Sequence, residues 1–171
     1  VRQLFLLRHA KSSWDDPSLS DFQRPLANRG RRAAPLMGRE MARRGWLPDL
    51  ALISSSVRTR QTWELVSAQW KNPCASIFTE TIYEADPAEI LTEIKKTPDE
   101  AGSLLVIGHN PGLALLAGML AGPGSPVPAV EKLERKFPTA AIASLEIGSN
   151  WQDLSAETSR LTDFITPKDI A

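Results

Sequence analysis

The sequence predicts an α/β fold, a three-layer α/β/α sandwich built on a mostly parallel central sheet with one mixed edge. Three observations carry this expectation. Short apolar runs at Leu4–Leu7, within Leu50–Ser56 and at Leu104–Ile107 lack the polar alternation of a half-solvated strand and suit strands buried on both faces. Segments with apolar residues at helical spacing lie between these runs over the first two-thirds of the chain, as parallel strands joined by crossover helices require. Two further strand-like segments, "AAIASLEI" and "SRLTDFIT", are joined through the turn-like "GSNWQD" and supply the mixed edge.

Taken in order, "LFLLRHAKSSW" opens with four apolar residues and then turns abruptly polar at Arg8 and His9. A buried strand fits this run, as would a buried helical turn by periodicity alone. If it is a strand, Arg8 and His9 sit at its carboxyl edge, where open α/β sheets place their ligands. The competing reading makes Arg8 a surface charge and His9 a turn residue.

The polar stretch "SSWDDPSLSDFQRP" follows and predicts a loop, long enough to suggest a functional one. From Asn28 to Arg44, Ala33, Leu36, Met37 and Met41 recur at helical spacing, and Gly45 is placed to cap the helix end. After the Leu50–Ser56 strand comes Arg58. Trp63, Val66 and Trp70 share one helical face and are read as core packing rather than an aromatic ligand box.

"SIFTETIYE" alternates enough for a strand ending near Glu84. Asp86, Pro87 and Glu89 have the spacing of an N-cap, an N1 proline and a capping-box carboxylate, so a helix through Ile90, Leu91 and Ile94 is expected. The Leu104–Ile107 strand leads into Gly108, His109 and Asn110, and Pro111 opens the helix "GLALLAGMLAG". "GPGSPVP" is expected to be a loop and "AVEKLERKF" a short helix.

At 171 residues the chain suits one domain, residues 1–171, with a core large enough to need no disulfide or metal staple. Lysine plus arginine equals aspartate plus glutamate at 20 each, so overall charge calls for neither nucleic acid nor an anionic membrane as partner. Any electropositive site is then local. A lone Cys74 forms no internal disulfide, and neither a signal-peptide core nor an eighteen-residue apolar run is present, so a cytoplasmic protein is expected.

The chain has two histidines, His9 and His109, and each directly follows a buried-strand run. In a parallel sheet such ends lie along one edge, so residues a hundred apart can share a crevice. Arg58 follows another such run. Two histidines and two arginines without a cysteine or carboxylate cluster describe a phosphate site better than a metal site, which takes three or four ligands. Cys74 has Glu80 six residues on, where a cysteine phosphatase needs an arginine. No nucleotide-binding glycine fingerprint, P-loop or G-x-S-x-G elbow occurs.

In their order, these motifs resemble the histidine phosphatase superfamily and, within it, the short SixA-type phosphohistidine phosphatases. The family's Arg-His-Gly signature stands here as "RHA", its post-strand arginine lies in "SSSVRTRQT", its second histidine in "GHNPG", and "RPLANRG" resembles that branch's Arg-Pro-Leu stretch. Nearly the whole chain is covered. Ala10 replaces the signature glycine, which matters only if that backbone needs a positive φ. Ala27 stands where the family often has a threonine to cap the first helix.

The resemblance implies phosphoryl transfer through a phosphohistidine on His9, with no metal and no cofactor. Attack on phosphorus requires a neutral imidazole, and two nearby arginines disfavour its protonation. Arg8 and Arg58 are expected to hold the phosphate oxygens and His109 to donate to them. Asn110, with the start of the following helix, and Arg24 are further candidates for substrate binding, though Arg24 also reads as a surface arginine before a proline. Glu84 matches the position of the family's proton donor. The expected substrate is phosphohistidine on a partner protein. A small phosphate ester, or phosphate-dependent binding without turnover, is the alternative.

Overall fold

A computed structural model of the chain describes residues 1–171. Its centre is strand β1 (Arg2–Arg8), paired in parallel with β4 (Ser103–Gly108) on one side and antiparallel with β5 (Ile142–Ile147) on the other. A strand so placed has no solvated face. Leu4 and Leu6 point into one core, Phe5 and Leu7 into the opposite one, and all four are fully buried, which is why the run carries no polar alternation.

The six strands lie in the order β3-β2-β4-β1-β5-β6, with β2 (Leu50–Ser54), β3 (Ala75–Thr79) and β6 (Ser159–Ile165) completing the sheet. β1, β2, β3 and β4 are mutually parallel, whereas β5 runs antiparallel to both β1 and β6. This is the mostly parallel sheet with a mixed edge that the sequence predicts. Helix α1 (Asn28–Arg43) carries the chain from β1 past the β4 position to β2, and α3 (Pro87–Lys95) returns it from β3 into the gap left between them.

Helices cover both faces. α1 and α2 (Val57–Ser67) pack on the core of Phe5, Leu7, Ile53 and Ile107, whereas α3, α4 (Gly112–Leu120) and α5 (Val127–Arg135) pack on that of Leu4, Leu6, Val106 and Leu145. Trp63 and Val66 are buried on one face of α2, and Trp70, beyond the helix end, donates its indole N–H to the Gly38 carbonyl. They pack the core as expected.

Several boundaries differ from expectation. The strand expected to reach Glu84 ends at Thr79, because β3 is an edge strand whose only partner, β2, ends in register at Ser54. Residues beyond it turn, and Glu84 takes a left-handed backbone with φ 54°. α1 starts at Asn28 although its N-cap, Ala27, makes no side-chain cap, so tertiary packing sets the start. α5 begins at Val127, inside the expected loop, and a short helix α6 (Pro167–Ile170) closes the chain. Trp151 in the "turn-like" link is fully buried, its indole donating to the Ala101 carbonyl at 2.8 Å.

Candidate active site

Register builds the site. Arg8 of β1 stands opposite Gly108 of β4, so the next residue on each strand is a histidine, and the His9 amide donates to the Gly108 carbonyl at 3.1 Å. The two imidazole rings have centroids 5.3 Å apart at the carboxyl edge of the sheet. β2 ends beside them, placing Ser54 next to His109 and Arg58 in the first turn of α2. Both histidines and Arg58 are buried.

The His9 ring is held in one tautomer. Its Nδ1 lies 2.7 Å from the Ala10 carbonyl, and a carbonyl can only accept, so Nδ1 carries the proton. The neutral ring therefore keeps its lone pair on Nε2. Burial, reinforced by His109, Arg58 and Arg8, lowers the His9 pKa to about 3, against the partial opposition of the Ala10 hydrogen bond. At neutral pH the ring is neutral, its orientation fixed and its Nε2 lone pair available. The Ala10 amide in turn donates to Thr62 Oγ1 at 3.0 Å, which ties the segment after His9 to α2. Ala10 is not among the residues of positive φ, so the missing signature glycine costs this backbone nothing.

Arg58 is clamped by a residue that the sequence did not single out. Its Nη1 donates to the Asp21 carbonyl at 2.7 Å and its Nη2 to Asp21 Oδ2 at 2.9 Å. Tyr83 donates its hydroxyl to that same Oδ2 at 2.6 Å, and Arg24 donates Nε and Nη2 to Oδ1 at 3.2 and 3.1 Å. Burial opposes ionisation of Asp21, but the bonds from Tyr83, Arg58 and Arg24 outweigh it and bring the pKa down to about 2. Burial and the Asp21 carboxylate push the Tyr83 phenol well above its usual range.

Arg58 Nη2 also approaches His109 Nδ1 at 3.3 Å. A guanidinium only donates, so Nδ1 accepts and the neutral ring's proton lies on Nε2, which donates to Ser54 Oγ at 2.8 Å. Burial, then Arg58 and Arg8, lower the His109 pKa to about 4, although Asp21 works the other way. The resting His109 thus faces the site as an acceptor. Donation to a phosphate oxygen from Nδ1 requires a second proton on the ring.

Arg8 is held by the Phe137 carbonyl at 3.0 Å, which also accepts from Asn110 Nδ2 at 2.9 Å. Asn110 therefore joins the site through the same carbonyl. Five buried side-chain polar atoms have no partner, and three of them, Arg8 Nε, Arg58 Nε and Asn110 Oδ1, belong to this cluster. Buried polar groups are nearly always paired, so these three atoms leave two donors and one acceptor available at the candidate site.

Arg24 is arranged differently from a rim charge. It is buried, its Nη1 donates to Ser12 Oγ and the Ser13 carbonyl, and its guanidinium lies 3.5 Å from the centroid of the exposed Trp14 ring. All three nitrogens are engaged, so Arg24 braces Asp21 and the loop. Glu84 lies on an exposed turn beside Tyr83 and forms no ion pair with Arg8 or Arg58. Tyr83 was discernible as the chain's only tyrosine, one residue before Glu84. Asp21 gave no local signal within a polar loop, and Ser54 only that of a small polar residue closing an apolar run.

The family model of the histidine phosphatase superfamily (branch 1) matches residues 4–89. An uncharacterized Mycobacterium leprae protein is 34% identical over 171 residues, covering 95% of this chain and all of its own length. An uncharacterized Mycobacterium tuberculosis protein is 35% identical over 169 residues, with the same coverage. Among solved structures, SixA from Agrobacterium tumefaciens superposes with a TM-score of 0.81 at 28% identity, covering 97% of this chain and 99% of that one. The protein histidine phosphatase SixA complexed with tungstate superposes with a TM-score of 0.79 at 25% identity, covering 99% of both chains.

Proposed function

This chain belongs to branch 1 of the histidine phosphatase superfamily, and on that footing we propose that it hydrolyses phosphohistidine carried by another protein, through a phosphohistidine of its own on His9. The observation that carries the reading is the His9 tautomer: Nδ1–H is bound to the Ala10 carbonyl, and the lone pair on Nε2 is unprotonated at working pH. Similarity to SixA structures supports the substrate class.

In the first step Nε2 of His9 attacks phosphorus in line. A new N–P bond forms, the P–N bond to the partner's imidazole breaks, and the departing imidazole nitrogen takes the electron pair and a proton from solvent. In the second step water attacks the phosphorylated His9, releasing inorganic phosphate and returning the electron pair to Nε2. Arg8 and Arg58, whose buried Nε–H groups lack acceptors, hold the equatorial oxygens, and their positions before the reaction limit reorganisation. Loss of one such donor costs roughly a hundredfold in rate.

His109 completes the clamp: beside the anionic oxygens its Nδ1 gains a proton, gives up its contact with Arg58 Nη2 and donates to them. Asn110 orients Arg8 through their shared carbonyl, and Arg24 acts on Arg58 through Asp21. Glu84 serves as proton donor to leaving groups poorer than imidazole. No metal or cofactor takes part in these steps.

Rapid quenching into alkali, which preserves phosphohistidine, tests the reading. Phosphate should be trapped on His9 during turnover of a phosphohistidine protein, and His9→Ala should abolish both label and turnover. Label elsewhere, or turnover in His9→Ala, overturns the mechanism. A kcat/KM for any small phosphomonoester equal to or above that for the phosphoprotein replaces the substrate assignment with a phosphomonoesterase.

A further inference from the structure

Beside the candidate site opens a groove of about 850 Å3 whose charged side chains are all cationic. Arg29 and Arg32 of α1 form one wall, and Lys132, Arg135 and Lys136, at the end of α5, form the other. Lys168 of α6 stands at the groove as well, and Lys11 joins it to the site. No aspartate or glutamate side chain lines it. Lys132 pairs with Asp169 just outside the lining, but the other six cations make no ion pair. In a chain of zero net charge this is a deliberate local excess.

Folding does not ask for it. The first turn of α1 holds no acidic residue and instead carries Arg29, with Arg32 close behind, where the positive end of the helix dipole disfavours cations. Those charges weaken the helix they stand on.

Position ties the groove to the chemistry. Lys11 follows His9 by two residues, and its carbonyl accepts from the Ala27 amide at 2.8 Å at the start of α1. Pro138 and Thr139, also in the lining, connect Phe137, which holds Arg8, to Ala140, whose amide donates to the carbonyls of Arg8 and His9 at 3.0 and 3.1 Å. The groove and the site share two backbone segments.

We infer that this groove docks an acidic face of the partner protein, leading its phosphorylated side chain to His9; the inference rests on the protein-substrate reading above. A small polyanion would be held by converging, buried donors, whereas Arg29, Arg32, Arg135, Lys136 and Lys168 are exposed and distributed over three helices. Single-stranded nucleic acid favours aromatic stacking platforms, and the lining has no aromatic residue. A membrane surface would engage large apolar side chains, and of these the lining offers only Leu36. An acidic protein face needs only the dispersed charge that is present.

Paired charge reversals, Arg29→Glu with Arg32→Glu and Arg135→Glu with Lys136→Glu, test it. The readouts are kcat/KM for an acidic phosphohistidine protein, turnover of small phosphoramidate, and binding of a fluorescent glutamate-rich peptide bearing no phosphate. Each pair should lower kcat/KM for the phosphoprotein by about tenfold or more at low salt and weaken the peptide to match, with the difference shrinking as salt rises. Phosphoramidate turnover should be unchanged, which also shows that the variants are folded.

Reversal that leaves both phosphoprotein turnover and peptide binding unaltered overturns the proposal. Tighter binding of tripolyphosphate, phosphatidylserine vesicles or an RNA oligonucleotide than of the peptide overturns it too, and names the groove's true ligand. If the wild type does not turn over the phosphoprotein but the reversals still abolish peptide binding, the substrate reading fails while docking of an acidic protein face stands.

Discussion

At the residue scale, partner chemistry decides what each ring can do. His9 keeps an available lone pair on Nε2 because a carbonyl occupies its Nδ1, and His109 rests as an acceptor because a guanidinium occupies its own. Asp21 has the same kind of influence over Arg58, fixing both terminal nitrogens through one carbonyl and one carboxylate oxygen. Asp21→Asn removes the charge that holds this fork, so kcat/KM should fall by about tenfold for all substrates as the clamp loosens. A merely structural lesion is told apart by Tyr83, the only tyrosine, whose phenol is raised by burial and by Asp21. In Asp21→Asn, the tyrosinate absorbance near 295 nm should emerge at lower pH than in the wild type. Unchanged tyrosine titration would dissociate Asp21 from the network.

At the scale of elements, α1 and the segment after His9 are pressed together. A Cβ on Gly30 would lie 2.2 Å from the Lys11 carbonyl oxygen, a backbone atom that cannot swing aside. Gly30→Ala should therefore move α1 off the Ala10–Lys11 segment, costing about 2 kcal/mol and lowering activity with it. Gly118, in the interior of α4, is the contrast: nothing lies within 4 Å of its added Cβ, and the position is exposed. Gly118→Ala should raise stability by up to about 1 kcal/mol through helix propensity and leave turnover alone. Denaturant midpoints with parallel rate measurements decide both. Equal effects of the two substitutions would show that helix propensity, not the close approach at Lys11, governs Gly30.

At the scale of the molecule, burying two neutral histidines makes stability depend on pH. Folded His9 titrates at about 3 and folded His109 at about 4, against about 6.5 for an unfolded histidine. Between those values the unfolded chain binds more protons, so this contribution is fully present above pH 6.5 and is lost on acidification. Asp21 and Glu40, each lowered to about 2, add losses only nearer the unfolded carboxylate range of about 4, so pH 6.5 to 5 isolates the histidines. Denaturation over that window should show stability falling towards a limiting slope of about 1.4 kcal/mol per pH unit for each histidine. His109→Asn should roughly halve the slope, and an unaltered slope would place the lost protons elsewhere.

Legible in the sequence were the sheet's buried strands, the helices between them, and the positions at which the chain leaves the sheet with a histidine or arginine. They could be read there because unbroken apolar runs and helical spacing record burial locally, and because motif order carries the family resemblance. Tertiary structure alone decided the rest. β3 stops at Thr79 because its only neighbour ends there; Arg24 turns inward because Asp21 is within reach; the lone pair of His9 sits on Nε2 because Ala10 presents its carbonyl. Cations far apart in the sequence, at Arg29, Arg135 and Lys168, become one groove only when α1, α5 and α6 meet. Each of these depends on which groups distant in sequence are brought together, and a polar side chain's role is set by its partner, whose identity no local pattern contains.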